Sequence, residues 1–220
     1  MKELNKYIDH TLLKPTATPE DIVALCREAV AYNFYAVCVN SSYAFLAANE
    51  LKDADVKVAA TIGFPLGANS MEAKVYEAQT AVTHGADEID MVINIGFLKA
   101  GLSKSVLEEA TAVKKAIGRR ILKVIIETCY LSNNEKKLAC EIAKKAGADF
   151  VKTSTGFGEG GAQLQDIEIL RAVISEGQEI KASGGIKTKE QARAFIAAGA
   201  SRIGTSNGVK LVLDSEEKHL

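Results

Sequence analysis

The sequence has no excess of charge of either sign and no long apolar segment. Its 27 basic and 28 acidic residues leave a formal net charge of −1 at pH 7, so no broad field of one sign is present to attract nucleic acid or an anionic membrane. Its apolar runs are shorter than the roughly 20 residues that cross a bilayer. We therefore expect neither a nucleic-acid partner nor a membrane-embedded segment.

Side chains that bind metals or form disulfides are also scarce. The four cysteines are irregularly spaced and match neither a zinc ribbon nor a C-x-x-C pair: Cys26, Cys38, Cys129 and Cys140. The three histidines lie far apart in the sequence: His10, His84 and His219. Neither a zinc site nor a Ser-His-Asp triad is therefore expected. The amino-terminal segment lacks the apolar centre of a signal peptide. These features predict reduced thiols, no bound metal and a cytoplasmic location.

Short runs rich in β-branched residues alternate along the chain with longer amphipathic segments. Eight of these runs are predicted as strands: Ile8–Thr11, Tyr35–Val39, Val56–Ile62, Glu88–Ile93, Ile121–Ile126, Asp149–Lys152, Glu179–Ala182 and Arg202–Gly204. Pro19–Tyr32 is predicted as a helix with one apolar face and with Thr18 as its N-cap. Ser70–His84 is a second predicted helix, which Gly85 ends. Strands that alternate with helices are typical of an α/β protein with a parallel sheet.

A weak internal repeat supports this interpretation. Three similar tetrapeptides join the end of a predicted helix to the start of a strand: His84–Asp87, Ala146–Asp149 and Ala198–Ser201. The glycine in each can take the left-handed conformation that ends a helix. Eight units of about 27 residues fill the 220-residue chain, as a compact (β/α)8 barrel requires. We therefore predict an α/β, single-domain (β/α)8 TIM barrel over residues 1–220, with a doubly wound open sheet as the alternative.

Charged side chains fall on the inward faces of several predicted strands. In Glu88–Ile93, strict alternation places the isoleucines and the methionine on one face and Asp90 on the other. The same alternation directs Lys123, Lys152 and Lys181 toward the barrel interior, near the carboxyl ends of the strands, where barrel active sites lie. Three lysines and one aspartate are therefore expected to meet in the lumen.

A buried ammonium group must either pair with an acid or lose its proton, because burial removes its hydration. One interpretation is a purely structural ion pair between Lys123 and Asp90. Three lysines on separate strands favour a chemical role instead. A desolvated amine beside a second cation has a lowered pKa and attacks a carbonyl carbon to form a Schiff base. The lysines therefore predict carbonyl chemistry.

Glycine-rich segments follow the last three predicted strands and indicate a phosphate site. They are residues 152–157, 183–185 and 204–208. Glycines allow backbone N–H groups to approach an anion, and a short helix beginning near Ser206 would add its positive end. Barrels commonly bind phosphate with the loops after strands seven and eight. We therefore interpret the last two segments as a phosphate site rather than as tight turns alone.

One glycine pattern points to a different ligand. Gly156–Gly161 matches G-x-G-x-x-G between a strand and a helix, as in dinucleotide-binding proteins. That fingerprint also needs an acid at the end of the following strand, and Ala182–Gly184 contains none. A dinucleotide cofactor is therefore not expected.

Five segments carry a family pattern. They are Ile8–Lys14 (IDHTLLK), Ile62–Gly67 (IGFPLG), Leu122–Thr128 (LKVIIET), Lys152–Phe157 (KTSTGF) and Lys181–Ile186 (KASGGI). In this order, within a stretch from about Ile8 to Gly208, they resemble the deoxyribose-phosphate aldolases. The resemblance implies a class I aldolase on a TIM barrel that needs no metal and no cofactor. Such an enzyme reversibly cleaves 2-deoxy-D-ribose 5-phosphate to D-glyceraldehyde 3-phosphate and acetaldehyde, in deoxyribose phosphate catabolism.

The resemblance also implies a role for each residue that matches a motif. Lys152 is the Schiff-base lysine, and Lys181 is the second lysine that tunes it. Asp90 acts in proton transfer through a water molecule, and Lys123 pairs with Asp90. The implied phosphate-binding residues are Gly156, Gly184, Gly185, Ser206 and Asn207.

Other features of the family apply with some departures. Asp9 and Thr11 share an inward face and are expected to border the substrate. Family members are often dimers or larger, which predicts a homo-oligomer, a dimer or a tetramer, that acts on a small phosphosugar. Asn207 stands where a serine is common, and Glu159 adds negative charge to a loop that commonly carries small hydroxyl residues. Many members end in a tyrosine that reaches the site, whereas no tyrosine follows Tyr130 in this sequence.

Two other functions remain open from the residues alone. A phosphosugar isomerase or epimerase would need a carboxylate or histidine pair across the pocket, and Lys152 with Lys181 suits such chemistry poorly. A non-catalytic barrel that binds a phosphorylated metabolite would have no need for a desolvated amine.

Overall fold

Eight parallel strands pair in chain order and close into a barrel in the computed structural model of the protein, which describes residues 3–174 and 176–213. The strands are β1 (Ile8–Leu12), β2 (Ala36–Asn40), β3 (Lys57–Ile62), β4 (Glu88–Val92), β5 (Ile121–Ile125), β6 (Phe150–Lys152), β7 (Glu179–Ser183) and β8 (Arg202–Thr205). β1 pairs with β8 as well as with β2, so the sheet of the described residues has no free edge. The predicted (β/α)8 barrel is confirmed, and each strand bound lies within one residue of its prediction.

Helices alternate with the strands and surround the barrel. They are α1 (Pro19–Ala31), α2 (Ala44–Glu50), α3 (Met71–Thr83), α4 (Ile95–Lys99), α5 (Ser103–Ile117), α6 (Asn133–Lys145), α7 (Leu164–Arg171), α8 (Lys189–Ala198) and α9 (Gly208–Leu213). The predicted N-cap of α1 is confirmed, because Thr18 Oγ1 accepts the N–H of Asp21 and the Asp21 carboxylate accepts the N–H of Thr18. At the three predicted repeats, the glycine has a positive φ between 75° and 119°. The chain therefore leaves each of these helices in the left-handed conformation.

Alternate residues of each strand face the helices and the lumen. On β4, Ile89 and Met91 belong to the continuous apolar layer that the strands share with the surrounding helices. Glu88 and Asp90, on the other face of β4, are equally buried but meet charged partners from other strands. The outer layer is therefore apolar, and the lumen is polar.

A buried ion pair holds the loop between β3 and α3. Lys74 on α3 is fully buried, and its Nζ donates to the carbonyl oxygens of Gly67 and Val92 at 2.7 and 2.8 Å. It also donates to Glu109 Oε1 on α5 at 2.7 Å, while Glu109 Oε2 accepts the N–H of Asn94. Burial lowers the pKa of Lys74 and raises the pKa of Glu109. The pair therefore fixes the β3–α3 loop to the carboxyl end of β4.

Part of the predicted domain is not described. Residues 1–2, 175 and 214–220, which include His219 and the charged carboxyl-terminal segment, lie outside the described residues. Among the residues that the structure describes, no helix combines the length and the apolar character needed to cross a membrane. The extent of the domain over residues 1–220 stays a prediction.

Candidate active site

Three buried lysines meet the carboxylate of Asp90 inside the barrel. Lys152 Nζ on β6 lies 2.7 Å from Asp90 Oδ2, and Lys181 Nζ on β7 lies 2.8 Å from the same oxygen. Lys123 Nζ on β5 lies 2.6 Å from Asp90 Oδ1. Strand register produces this meeting, because Lys123 is the cross-strand partner of Asp90, and Lys181 is that of Lys152. The structure thus brings together the four residues that alternation directed into the lumen.

A second group of charges adjoins the first. The Asp9 carboxylate on β1 accepts hydrogen bonds from Lys181 Nζ and, at 2.8 Å, from Arg202 Nη1 on β8. Glu88 on β4 lies 2.6 Å from Lys123 Nζ and 3.0 Å from Arg202 Nη1. We call these seven side chains the lumen network: Asp9, Glu88, Asp90, Lys123, Lys152, Lys181 and Arg202. Sequence reasoning assigned no role to Glu88 and did not consider Arg202.

Mutual pairing keeps most of the network ionised. Burial by itself would raise the pKa of Asp90, but the three lysines outweigh it and hold that pKa well below 3.8. Burial opposes the charge of Lys181, yet Asp9 and Asp90 raise its pKa above 10.5. Burial likewise opposes the charge of Lys123, and Asp90 and Glu88 raise its pKa. Lys123 and Lys181 are therefore fixed cations near neutral pH.

Lys152 is the lysine of the network that opens onto a cavity at the carboxyl ends of the strands. This cavity has a volume of about 250 Å³, whereas Lys123 and Lys181 are fully buried beneath it. Six other predicted site residues line the cavity: Thr11, Gly156, Gly184, Gly185, Ser206 and Asn207. Asp9 lies elsewhere than expected, because its fully buried carboxylate is bonded to Lys181 and Arg202 and does not border the cavity.

Glycine loops approach each other closely at one side of the cavity. Gly156, Gly184 and Gly185 have φ values of 85°, 86° and 77°, which glycine adopts without strain. A Cβ atom at position 161 would lie 2.2 Å from the carbonyl oxygen of Gly184 and would collide with it. The loops after β6 and β7 therefore depend on glycine for their contact.

The loop after β8 leads into the short helix that the sequence predicts near Ser206. α9 begins at Gly208, two residues after Ser206. The N–H of Asn207 donates to Thr205 Oγ1 at 3.0 Å, so the side-chain amide is the donor that Asn207 offers to a ligand. Lys14 and Lys187 are exposed on the cavity rim, and sequence reasoning did not consider them. Lys14 ends the first family motif and Lys187 directly follows the last one, and these positions were the signal that could have placed both lysines at the site.

A further carboxylate anchors the loop that follows Lys152. Glu127 has a left-handed backbone, with φ 52° and ψ 71°, which is uncommon for a residue other than glycine. Its Oε2 accepts the N–H of Thr155 at 3.2 Å and also accepts the Thr155 hydroxyl. Thr155 Oγ1 in turn accepts the N–H of Phe157 at 3.0 Å, and Phe157 packs edge-on against Phe64. Glu127 therefore shapes this wall of the cavity, although sequence reasoning gave it no role.

Two residues near the site, Cys38 and Glu159, stay outside the cavity. Cys38 is fully buried, with Sγ 3.9 Å from Asp90 Oδ2. Burial raises the pKa of the Cys38 thiol, so it is neutral near pH 7. Glu159 is exposed and does not line the cavity. Glu159 therefore belongs to the glycine loop after β6, but its side chain is not part of the cavity wall.

The chain is similar to known aldolases over nearly its whole length. The family model described as DeoC/LacD family aldolase matches residues 4–214. A deoxyribose-phosphate aldolase of Thermococcus gammatolerans is 58% identical over 215 residues, which cover 96% of this chain and 95% of that protein. Another, of Caldanaerobacter subterraneus, is 54% identical over 223 residues, with coverages of 100% and 96%. The tetrameric deoxyribose phosphate aldolase from Aeropyrum pernix superposes with a TM-score of 0.87 and 35% identity, covering 95% of this chain and 89% of that one.

Proposed function

The chain belongs to the DeoC/LacD family of aldolases, and we propose that it reversibly cleaves 2-deoxy-D-ribose 5-phosphate to D-glyceraldehyde 3-phosphate and acetaldehyde by class I chemistry. One observation carries the proposal. Lys152 opens onto the cavity while it shares one oxygen of Asp90 with the fixed cation Lys181. A second ammonium at this distance opposes protonation of the amine, and a neutral amine attacks carbonyl carbon. The activity named for the relatives supports the choice of substrate.

The reaction follows from the position of this amine. Lys152 attacks the C1 aldehyde carbon of the open-chain sugar, and loss of water gives an iminium ion. The iminium draws electrons from the C2–C3 bond, which breaks as the C3 hydroxyl loses its proton. D-glyceraldehyde 3-phosphate leaves, and a two-carbon enamine remains on Lys152. Protonation at C2 and hydrolysis of the imine then release acetaldehyde and restore the amine.

The charged neighbours of Lys152 support these steps. Asp90 takes part in proton transfer, since its carboxylate lies 2.7 Å from Lys152 Nζ; the family resemblance implies that a water molecule carries the proton. Lys181 supplies the positive charge that disfavours protonated Lys152. Lys123 holds the other oxygen of Asp90 at 2.6 Å and keeps that carboxylate ionised. Asp9 acts below the substrate, because it binds Lys181 rather than lining the cavity.

The phosphate group lies between the loops that follow β6, β7 and β8. Backbone approach and side-chain donors come from Gly156, Gly184, Gly185, Ser206 and Asn207. Lys14 and Lys187 add positive charge at the rim of the cavity, where it attracts a phosphorylated sugar. Thr11, which lines the same cavity, borders the sugar.

The proposed enzyme is a homo-oligomer, either a dimer or a tetramer. It is located in the cytoplasm and acts in deoxyribose phosphate catabolism. The tetramer of the Aeropyrum pernix relative supports assembly. The cysteines support a reducing compartment, because Cys26, Cys38, Cys129 and Cys140 are all free.

Trapping of the imine tests the proposal. Acetaldehyde with borohydride is expected to leave an ethyl group on Lys152, located by peptide mass spectrometry, because reduction makes an imine permanent. Lys152→Arg keeps the positive charge and is expected to abolish both label and cleavage, whereas the control Lys57→Arg, at a surface ion pair with Asp55, keeps both. A label on Lys123 or Lys181 instead would overturn the assignment of roles. No label on any lysine would favour the isomerase or the non-catalytic barrel.

A further inference from the structure

The lumen network reaches the amino-terminal ends of the strands, where two of its members have no part in the proposed reaction. Glu88 begins β4 and Arg202 begins β8, and neither lines the cavity. Only 2% of Glu88 and 5% of Arg202 is exposed. Arg202 Nη1 lies 2.8 Å from Asp9 Oδ1, and the guanidinium carbon is 3.6 Å from the centroid of the Tyr35 ring. Burial of two charges is costly, and nothing in the cavity requires it.

Charge in the network balances when one of its bases is neutral. Within the described chain it contains four bases and three carboxylates. Lys181, Lys123 and Arg202 each contact at least two carboxylates. Lys152 has a single carboxylate within ion-pair distance among the described residues, which is Asp90. The network therefore supports the charge of Lys152 least, and neutral Lys152 leaves three positive charges against three negative ones.

We propose that Arg202 and Glu88 are positioning residues of opposite sign, which set through the network the pH at which Lys152 releases its proton. Arg202 offsets part of the negative charge of Asp9, so the carboxylates of the network stabilise the protonated form of Lys152 less. Glu88 acts in the opposite sense, because it offsets part of the positive charge of Lys123. The inference rests on the proposed role of Lys152 as the Schiff-base lysine.

Seven other ionisable side chains surround Lys152 in the lumen. By strand, they are Asp9 (β1), Cys38 (β2), Glu88 and Asp90 (β4), Lys123 (β5), Lys181 (β7) and Arg202 (β8). Burial raises the pKa of Cys38, and the cations hold the pKa values of Asp9 and Asp90 low against the effect of burial. Against the same effect, Asp9 and Glu88 raise the pKa of Arg202. Outside the lumen, Glu127 is bonded to Thr155, and Lys14 and Lys187 are exposed on the cavity rim.

The experiment follows imine formation at Lys152 as a function of pH in the full chain. Acetaldehyde and cyanoborohydride label each variant from mildly acidic to strongly alkaline pH, and mass spectrometry gives the rate of ethylation of Lys152. Arg202→Met removes a positive charge and is expected to move the midpoint toward alkaline pH. Glu88→Gln removes a negative charge at nearly constant shape and is expected to move it toward acid pH. Removal of a unit charge roughly 10 Å from the Lys152 amine, at an effective dielectric constant of about 20, is expected to shift the midpoint by about one pH unit.

Combined and control variants separate charge from structural damage. The double variant Glu88→Gln/Arg202→Met is expected to return the midpoint toward its original value, although it carries more disruption than either single change. Arg202→Lys keeps the charge and is expected to keep the midpoint. Arg120→Met removes an exposed arginine at the same end of the barrel, 3.2 Å from Asp87, and is expected to leave the midpoint in place. If Arg202→Met does not fold, Glu88→Gln alone still tests whether the midpoint moves in the expected direction, toward acid pH.

Opposite shifts for the two single variants, with recovery in the double variant, support the inference. Equal midpoints in all variants, or shifts of the same sign for Glu88→Gln and Arg202→Met, overturn it while leaving the aldolase proposal intact. Absence of the ethyl group from Lys152 in the unaltered protein is a different result, because it contradicts the proposed function itself.

Discussion

Replacement of Lys181 by leucine removes the cation that lies beside the proposed nucleophile. Lys152 and Lys181 donate to the same oxygen of Asp90, at 2.7 and 2.8 Å, so their nitrogens lie within about 5.5 Å of each other. At an effective dielectric constant of about 20, two unit charges at this distance repel by about 3 kcal/mol, which corresponds to about two pH units. Loss of Lys181 also leaves Asp9 and Asp90 with one partner fewer. Both effects favour protonated Lys152.

The pH profile of Lys181→Leu should therefore move toward alkaline pH. The midpoint of kcat/KM for 2-deoxy-D-ribose 5-phosphate is expected to rise by about two pH units, and activity at neutral pH is expected to fall by about a hundredfold. Steady-state assays across the pH range measure both quantities. Trapping with acetaldehyde and borohydride shows in parallel whether Lys152 still forms the imine.

A matched control separates this effect from the loss of a buried lysine in general. Lys136 on α6 is also mostly buried and pairs with Asp166 at 2.7 Å, but it lies outside the lumen. Lys136→Leu is expected to reduce stability and to leave the midpoint unchanged. An unchanged midpoint in Lys181→Leu, in a variant whose circular dichroism matches the original, would refute the argument that Lys181 tunes Lys152.

Two further predictions concern the phosphate site and the β3–α3 loop. Ser206→Asp is expected to raise KM for the phosphorylated sugar far more than for 2-deoxyribose, because it sets a carboxylate against the phosphate; equal losses on the two substrates would place the phosphate elsewhere. Lys74→Met is expected to lower the free energy of unfolding in urea by about 3 to 5 kcal/mol, since it leaves Glu109 buried without its partner. Lys57→Met, which removes the partner of the exposed Asp55, should cost less than about 1 kcal/mol, and similar losses for both variants would contradict a special role for Lys74.

The sequence predicts the barrel well because its signals are local. The period of two in the strands, the cap at Thr18 and the helix-ending glycines each act over a few residues. Alternation also directs Asp90, Lys123, Lys152 and Lys181 inward without any knowledge of partners. The structure has these features at almost the residues that the sequence predicts.

The partners of the inward charges are not local, and alternation leaves them undetermined. Asp9 meets Arg202 because β1 closes on β8, and Glu88 meets Arg202 across the lumen. Both contacts depend on the register and tilt of the whole barrel. The same lack of long-range information explains why Asp9 was expected at the substrate. The left-handed backbone of Glu127 is likewise set by its bonds to Thr155 rather than by a residue type that prefers it.

Closure of the barrel by β1 and β8 has a consequence for how the chain is made. The bonding partners of Asp9 lie 172 and 193 residues further along the chain. At ordinary rates of translation, about 10 to 40 seconds pass between the synthesis of Asp9 and that of Arg202. Any sheet that the earlier strands form during that interval has two open edges, which can pair with other chains, and Asp9 still lacks its guanidinium partner. The last strand to be made, β8, therefore both closes the sheet against β1 and supplies the guanidinium that pairs with Asp9. A chain that stops short of β8 lacks the edge protection and the charge pairing of the finished protein.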